Sequence, residues 1–335
     1  MKKDLQGRVV VVTGATAGVG RAAVRAFAER GANLGLIARG HDGLEATRSE
    51  VERLGCRAVG VSCDVADPDA LEMAADTIGH ELGPIDIWVN NAMSSVFAPI
   101  SGTTPAEFRR VTEVTYLGAV YGTMAALRRM QPRNSGTIVQ VSSALAQRSI
   151  PLQAAYCGSK HGLHGFTESL RSELLHDRSA VHLTEVVMPA LNTPQFDWSR
   201  VKLAHAPQPV PPIYQPEVAA DAIVFAALHR RRQVWVTWSV AKAVVGERLA
   251  AAYADRYLAE HAYQAQESDE LVSASRPDNL YAPLPGDRGA RGRFDDRARS
   301  FSIELWASKH RGALFALGAF ACVLGGAAVG LRHAP

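Results

Sequence analysis

Tyr156 and Lys160 are the residue pair in this sequence with the clearest chemical potential. A spacing of four positions puts both side chains on one face of a helix. An unperturbed phenol has a pKa of about 10, and a neighbouring ammonium stabilises the phenolate and lowers that value. Such a pair can exchange a proton near neutral pH. Ser143 closes an apolar stretch thirteen positions earlier, and its hydroxyl can hold a substrate oxygen beside the tyrosine.

A glycine-rich turn near the N-terminus predicts a dinucleotide site. Gly14 permits a sharp turn after the apolar run Val9–Val12, Gly18 lets the backbone approach a pyrophosphate, and Gly20 lets helix and strand pack closely. The phosphates would lie at the helix N-terminus, where free N–H groups favour anions. Glycines also mark ordinary loops, but a strand before the turn and a helix after it are the context that a dinucleotide site requires. The candidate cofactor ligands here are Gly14, Thr16, Gly18, Val19 and Gly20.

The ends of the next two predicted strands bear on the choice of cofactor. Arg39 follows the second strand, where an acidic residue would bind the ribose hydroxyls of NAD. Because an arginine there can pair with a 2′-phosphate, the sequence favours NADP(H) over NAD(H), with a solvated surface arginine as the alternative. Asp64 follows the third strand and can accept a hydrogen bond from adenine, or it can cap the helix that begins near Pro68. Val65, next to it, is a further candidate ligand.

Apolar runs and stretches with helical periodicity alternate from residue 8 to about residue 240. Strands of near-continuous Val, Ile and Leu are typical of a parallel sheet that is buried on both faces. The alternation predicts an α/β fold of the Rossmann type, a doubly wound parallel sheet in one main domain. The predicted strands are Arg8–Thr13, Asn33–Ala38, Ala58–Cys63, Ile85–Asn90, Thr137–Ser142, His182–Met188 and Val234–Trp238. The predicted helices are Gly18–Arg30, Leu44–Leu54, Pro68–Leu82, Ala106–Met130, Ala155–His176 and Glu217–His229.

The composition of the 335 residues excludes several classes of protein. An apolar fraction of 47% and a charged fraction of 21% exclude wholesale disorder. The net charge of +3 is too small to indicate nucleic acid as a partner. The four cysteines show no zinc-site spacing, so no metal is predicted. Polar residues directly after Lys2 and Lys3 exclude a secretion signal, so we expect a cytoplasmic catalytic domain.

The chain divides into a cofactor-binding domain over residues 1–262, a linker over 263–303 and a C-terminal segment over 304–335. The linker is rich in Arg, Asp, Gly, Pro and Ser, and we expect it to be extended or disordered. Residues 312–331 carry no charge and, as a helix, are long enough to span a bilayer. We expect a transmembrane anchor there, with the preceding cationic residues on the cytoplasmic side. A helix that is buried against the domain is the alternative.

The chain resembles the short-chain dehydrogenase/reductase family over about residues 7–240. The resemblance rests on motifs in a fixed order, namely Thr13-Gly-x-x-x-Gly18-x-Gly20, Asn90-Asn91-Ala92, Ser143, Tyr156-x-x-x-Lys160, and Pro189 with Thr193. It implies hydride transfer between a nicotinamide and an alcohol or carbonyl carbon.

The resemblance also implies a role for each motif residue. Tyr156 would be the general acid/base, Lys160 would lower its pKa and bind the nicotinamide ribose, and Ser143 would bind the substrate oxygen. Asn90 would steady the sheet behind the cofactor. The implied cofactor ligands also include Tyr156 and Lys160 themselves, together with Asn91, Ala92, Pro189 and Thr193.

Two positions depart from the family pattern. Thr115 stands where the family has an asparagine that supports a water chain to the lysine, so Thr115 is the candidate for that relay. Met93 stands in place of a glycine and would put an apolar side chain near the nicotinamide.

These observations predict an NADP-dependent oxidoreductase that acts on an alcohol or ketone. An anchor would bring the enzyme to apolar substrates, and the family resemblance implies a homo-oligomer. The alternative is a non-catalytic, membrane-held NADP-binding sensor or scaffold.

Overall fold

The computed structural model describes residues 4–273, 275–312 and 314 of the chain, and over residues 239–249 it describes the backbone alone. Its main sheet has seven strands, all of them parallel to their neighbours. The strands are β1 (Val9–Thr13), β2 (Asn33–Ala38), β3 (Ala58–Ser62), β4 (Ile85–Asn90), β5 (Thr137–Ser143), β6 (His182–Met188) and β7 (Gln233–Trp235).

The order of the strands in space is β7-β6-β5-β4-β1-β2-β3, which confirms the predicted doubly wound sheet. The chain builds outward from β1 in one direction and from β4 in the other. The crevice between the carboxyl ends of these two strands is where open α/β sheets bind ligands.

Both faces of the sheet are covered by helices. Alternate residues of β1 show this directly, because Val10 and Val12 pack in one apolar layer and Val9 and Val11 pack in the other. This two-sided burial explains the uninterrupted apolar strand. The helices are α1 (Gly18–Ala28), α2 (His41–Arg53), α3 (Pro68–Leu82), α4 (Pro105–Thr112), α5 (Gly118–Met130), α6 (Ala154–His176), α7 (Gln195–Trp198), α8 (Pro216–Leu228), α9 (Ser239–Gln266) and α10 (Ile303–Lys309).

The predicted helix Ala106–Met130 is α4 and α5 joined by one π-helical turn over Glu113–Leu117. It begins with a capping box, in which Thr104 and Glu107 satisfy each other's backbone N–H groups. A π turn inside a helix is rare and is often found at a functional site. This one contains Thr115.

The segment 263–303, for which the composition predicts a linker, is packed onto the domain. Its strand Glu267–Leu271 pairs antiparallel with His205–Pro207, and Ala298–Arg299 pairs parallel with Ile213–Tyr214. Helix α10 follows, and its Leu305 is 3% exposed in the main apolar cluster. The polar composition of this segment does not prevent it from packing on the domain, because its backbone forms hydrogen bonds with strands of the domain.

The predicted membrane anchor, residues 312–331, lies outside the described residues except for residues 312 and 314. Within the described part of the chain, no helix has the length and apolar character needed to cross a bilayer.

Candidate functional site

The glycine-rich turn between β1 and α1 adopts a conformation that needs glycine. Gly14 and Gly18 have φ angles of +65° and +54°, which L side chains rarely adopt. A Cβ at Gly20 would lie 2.0 Å from the carbonyl oxygen of Gly14, so α1 could not approach the turn. Thr193 lies against Gly18, with its Cβ 3.2 Å from the place that a Gly18 side chain would take.

Hydrogen bonds join the turn to the end of β4. The Thr13 hydroxyl accepts from the backbone N–H groups of Asn91 and Ala92 at 3.0 and 3.1 Å. The Asn91 amide donates back to the carbonyl oxygens of Thr13 and Gly14 at 3.0 and 3.2 Å. These bonds fix the walls of the crevice between β1 and β4.

A cavity of about 230 Å³ opens at this crevice. Its lining includes Met93, as expected from the sequence. Gly20 and Pro189 are not among the described residues that line it, since Gly20 packs against Gly14 instead. Backbone without side chains beside the N-terminus of a helix fits the pyrophosphate of a dinucleotide. The predicted ligands that line the cavity are Gly14, Thr16, Gly18, Val19, Arg39, Asp64, Val65, Asn91, Ala92 and Thr193.

Asp64 and its neighbours lie at the β3 end of this cavity. Asp64 forms an ion pair with Arg110, and its other oxygen accepts from the N–H of Ala66 at 3.1 Å. The N-cap of α3 is Asp67, which accepts from the backbone N–H groups of Asp69 and Ala70, both at 3.0 Å. The capping role considered for Asp64 therefore belongs to Asp67.

Ser143, Tyr156 and Lys160 come together at the same edge of the sheet. Ser143 ends β5, which lies beside β4, and the other two project from the first turns of α6. The Tyr156 hydroxyl interacts with the Ser143 side chain, and the Lys160 Nζ lies 5.6 Å from the centre of the tyrosine ring. Lys160 also donates to the carbonyl oxygen of Val141 at 2.7 Å. The described lining of the cavity contains none of the three candidates.

Burial dominates the electrostatics of this trio. Burial raises the pKa of Tyr156, and the interaction with the Ser143 hydroxyl lowers it. Burial lowers the pKa of Lys160 to about 8, and the charge of Glu185 acts in the opposite direction. Lys160 therefore titrates within the range in which oxidoreductases work, rather than above pH 10.

Thr115, the candidate for the water relay, is fully buried in the π turn. Its hydroxyl donates to the carbonyl oxygen of Ser94 at 2.9 Å and accepts from the N–H of the same residue at 3.0 Å. A hydroxyl has a single donor. In this arrangement the donor holds the loop after β4, and the relay role of Thr115 stays a prediction.

Glu185 is a charged residue of the site that sequence reasoning did not single out. It lies in the middle of β6 with 2% exposure, where Oε2 contacts Nδ1 of His164 at 2.9 Å and accepts from the Gln233 amide at 3.0 Å. Burial opposes ionisation, but the hydrogen bonds with His164 and Gln233 hold the pKa of Glu185 below its ordinary value. The signal was present in the sequence as a lone acidic residue in an apolar strand.

Changing Glu185 to Gln is expected to shift the alkaline limb of the kcat profile to lower pH by roughly 0.5–1 unit. The charge of Glu185 favours the protonated ammonium of Lys160, so its loss lowers a pKa that is already about 8. Glutamine keeps the shape and most of the hydrogen bonds. The measurement is kcat against pH for the wild type, Glu185→Gln and the control Glu173→Gln, an exposed position on α6. A profile of folded Glu185→Gln that matches the wild type would contradict the assignment.

Comparison with known proteins identifies relatives of this architecture. The family model described as short chain dehydrogenase matches residues 8–200. The oxidoreductase YxnA of Bacillus subtilis, itself uncharacterised, is 33% identical over 294 residues, which cover 86% of this chain and 82% of YxnA. A fatty acyl-CoA reductase of Acinetobacter baylyi is 28% identical over 235 residues, which cover 70% of this chain and 77% of that enzyme.

Two solved structures resemble the fold. A protein assigned as a short-chain alcohol dehydrogenase from Sinorhizobium meliloti 1021 has a TM-score of 0.53 and 33% identity, covering 56% of this chain and 73% of that chain. An NAD⁺-bound xylitol dehydrogenase has a TM-score of 0.54 and 28% identity, covering 56% of this chain and 72% of that chain.

Proposed function

The chain belongs to the short-chain dehydrogenase/reductase family, and from that premise we propose that it transfers a hydride between NADP(H) and the alcohol or ketone carbon of an apolar substrate. The family membership makes the chain an oxidoreductase that acts on CH–OH or C=O groups with a nicotinamide cofactor. The observation that carries the proposal is that Ser143, Tyr156 and Lys160 lie together at one edge of the sheet, with the Lys160 ammonium 5.6 Å from the centre of the tyrosine ring.

The roles of the chain's residues follow from this geometry. The nicotinamide, when bound, supplies or accepts the hydride. Ser143 donates a hydrogen bond to the substrate oxygen, and Tyr156 gives a proton to that oxygen or takes one from it. The positive charge of Lys160 stabilises the phenolate form of Tyr156. The amides of the turn at Gly18 and Val19 bind the cofactor phosphates, the Gly18 amide after its hydrogen bond to the Gly289 carbonyl oxygen has opened.

The preference for NADP(H) rests on Arg39. The guanidinium lines the cavity directly after β2, and no acidic residue stands at the end of that strand. The nearest acidic side chain in the sequence, Asp42, accepts a hydrogen bond from the backbone of Gly286 at 2.7 Å. The similar xylitol dehydrogenase was solved with NAD⁺, so the preference is a property that we propose for this chain.

The apolar substrate class rests on the side chains around the cavity mouth. Met93 and Trp198 line it and give it apolar surface. These groups favour an alkyl or ring substrate over a polyol. The relative from Acinetobacter is named for a fatty acyl substrate, which supports the same class.

The test is a substrate panel with the purified full chain, in which turnover is followed by the absorbance of reduced nicotinamide. Long-chain aldehydes and ketones are compared with short ones and with polyols such as xylitol, each with NADP(H) and with NAD(H). We expect the highest kcat/KM for apolar carbonyls with NADPH. Cofactor binding without turnover on any substrate would instead support the scaffold alternative, which the family match does not favour.

We also propose a homo-oligomer with a cytoplasmic catalytic domain that residues 312–331 anchor to a membrane. The basis for the anchor is the uncharged length of that segment. The basis for the homo-oligomer is the family resemblance. Fractionation of cells that express the chain with and without residues 312–331 tests the anchor, and light scattering of the purified protein gives the subunit number. An unchanged distribution between the fractions would remove the anchor from the proposal.

A further inference from the structure

The segment 263–303 forms an outer wall of the cofactor cavity. We call residues 278–292 the strap. Five strap residues join those of the glycine-rich turn and the ends of β2 and β3 in lining the cavity. They are Asn279, Pro283, Leu284, Gly286 and Arg288.

One end of the strap is fixed near Arg39. The Arg39 guanidinium donates to the carbonyl oxygens of Asn279 and Leu280 at 2.5 and 3.4 Å, and Arg110 Nε donates to the Leu280 oxygen at 3.0 Å. The Leu280 side chain is 1% exposed in a small apolar cluster on which Tyr156 also packs. The strap thus lines the cofactor cavity and shares an apolar cluster with Tyr156.

The other end is fixed at the glycine-rich turn. The Gly18 N–H donates to the carbonyl oxygen of Gly289 at 3.0 Å, and Arg21 Nη1 forms an ion pair with Asp287 at 3.1 Å. The bond between Gly286 and Asp42, described above, lies between these points. All three contacts are polar and at least partly exposed on the strap side, so they can open without loss of the core.

Arg288 is the charged strap residue that lines the cavity. It is exposed, lines the cavity, and donates to the Pro285 carbonyl oxygen at 3.0 Å. Within the described chain no carboxylate lies within 4.0 Å of it, whereas Arg291, three residues on, pairs with Glu217 at 2.9 Å. The positive charge of Arg288 acts on Asp197 from beyond that distance. A guanidinium beside a phosphate-binding turn that is not held in a close ion pair is suited to a phosphate ligand.

We propose that the strap is part of the cofactor site, in which Arg288 binds the pyrophosphate and the strap must open for the cofactor to enter or leave. With the strap in place the cavity is about 230 Å³. The Gly289 carbonyl oxygen accepts from the Gly18 N–H, an amide of the phosphate-binding turn, so this end of the strap must move before that amide can reach a cofactor phosphate. The inference depends on the nicotinamide cofactor of the family and not on the proposed preference for NADP(H), because both cofactors carry the pyrophosphate.

The experiment measures equilibrium binding and stopped-flow dissociation of NADPH and NADH with the full chain. Arg288→Ala is expected to weaken both cofactors about tenfold, near the lower end for a charge-assisted hydrogen bond because the side chain is exposed. The matched control is Arg291→Ala, which removes an arginine of the same strap that pairs with Glu217. An equal loss of affinity for NADPH and NADH distinguishes this result from a failure of the NADP(H) proposal, because that proposal concerns the ratio of the two affinities.

A second variant tests the opening. Asp287→Asn removes the ion pair with Arg21 at the strap surface, and we expect faster association and faster dissociation of both cofactors. Binding that becomes tighter in Asp287→Asn would show that the strap competes with the cofactor and would overturn the proposal. The proposal is equally overturned if Arg288→Ala binds like Arg291→Ala.

Discussion

Replacing Tyr156 with phenylalanine is expected to lower kcat by roughly 10²–10⁴-fold, the usual contribution of a positioned acid or base. The substitution removes the hydroxyl that meets Ser143 and leaves the ring on which Lys160 and the Leu280 cluster pack. The cofactor Kd should therefore stay unchanged, because the described lining of the cavity does not include Tyr156. The measurement pairs steady-state kinetics with a cofactor titration.

Tyr121→Phe is the matched control for this prediction. Tyr121 is a partly buried tyrosine of α5 that packs on the apolar layer of Trp88 and Met130, whereas Tyr156 packs on the small cluster of Leu280. It should keep wild-type kcat and wild-type cofactor binding. Full activity in Tyr156→Phe would show that the proton comes from another group, and the assignment of the trio would fail.

Replacing Arg39 with aspartate is expected to reverse the cofactor preference. A hydrogen bond to a charged group contributes about 1.5–3 kcal/mol, so the loss of one to a 2′-phosphate weakens NADPH by roughly 10- to 150-fold. An aspartate repels that phosphate and can accept from the ribose hydroxyls of NADH. Titrations of both cofactors into the wild type and the variant give the ratio directly.

Arg39 also holds the strap, and the two cofactors separate its two roles. Loss of the bonds to Asn279 and Leu280 acts on NADH and NADPH alike, whereas loss of a phosphate contact acts on NADPH alone. Arg48→Ala, at an exposed position on α2, is the control and should leave both affinities unchanged. If Arg39→Asp weakens both cofactors equally, Arg39 serves only the strap, and the NADP(H) preference is wrong.

The central sheet could be predicted from the sequence because its signals are local. Asn33–Ala38, Ile85–Asn90 and His182–Met188 have the predicted bounds, since each is an apolar run that ends at a turn or a helix start. The glycine-rich turn and the Tyr156–Lys160 spacing are local as well, and each is decided within a few residues. Parallel strands then bring their carboxyl ends to one edge, so the approximate place of the site follows from the strand order.

The contacts that complete the site depend on residues far apart in the chain, and no local pattern encodes them. Arg39 meets a carbonyl oxygen 240 positions away, and a segment with the composition of a linker becomes the outer wall of the cavity. Glu185 acts on Lys160 only because β6 packs against α6 and excludes water there. The sequence by itself determined the sheet, the turn and the helical spacing of Tyr156 and Lys160 through periodicity and spacing. Burial and long-range hydrogen bonding exist only in the folded chain. They decided the lowered pKa of Lys160 and the position of the strap against the cavity.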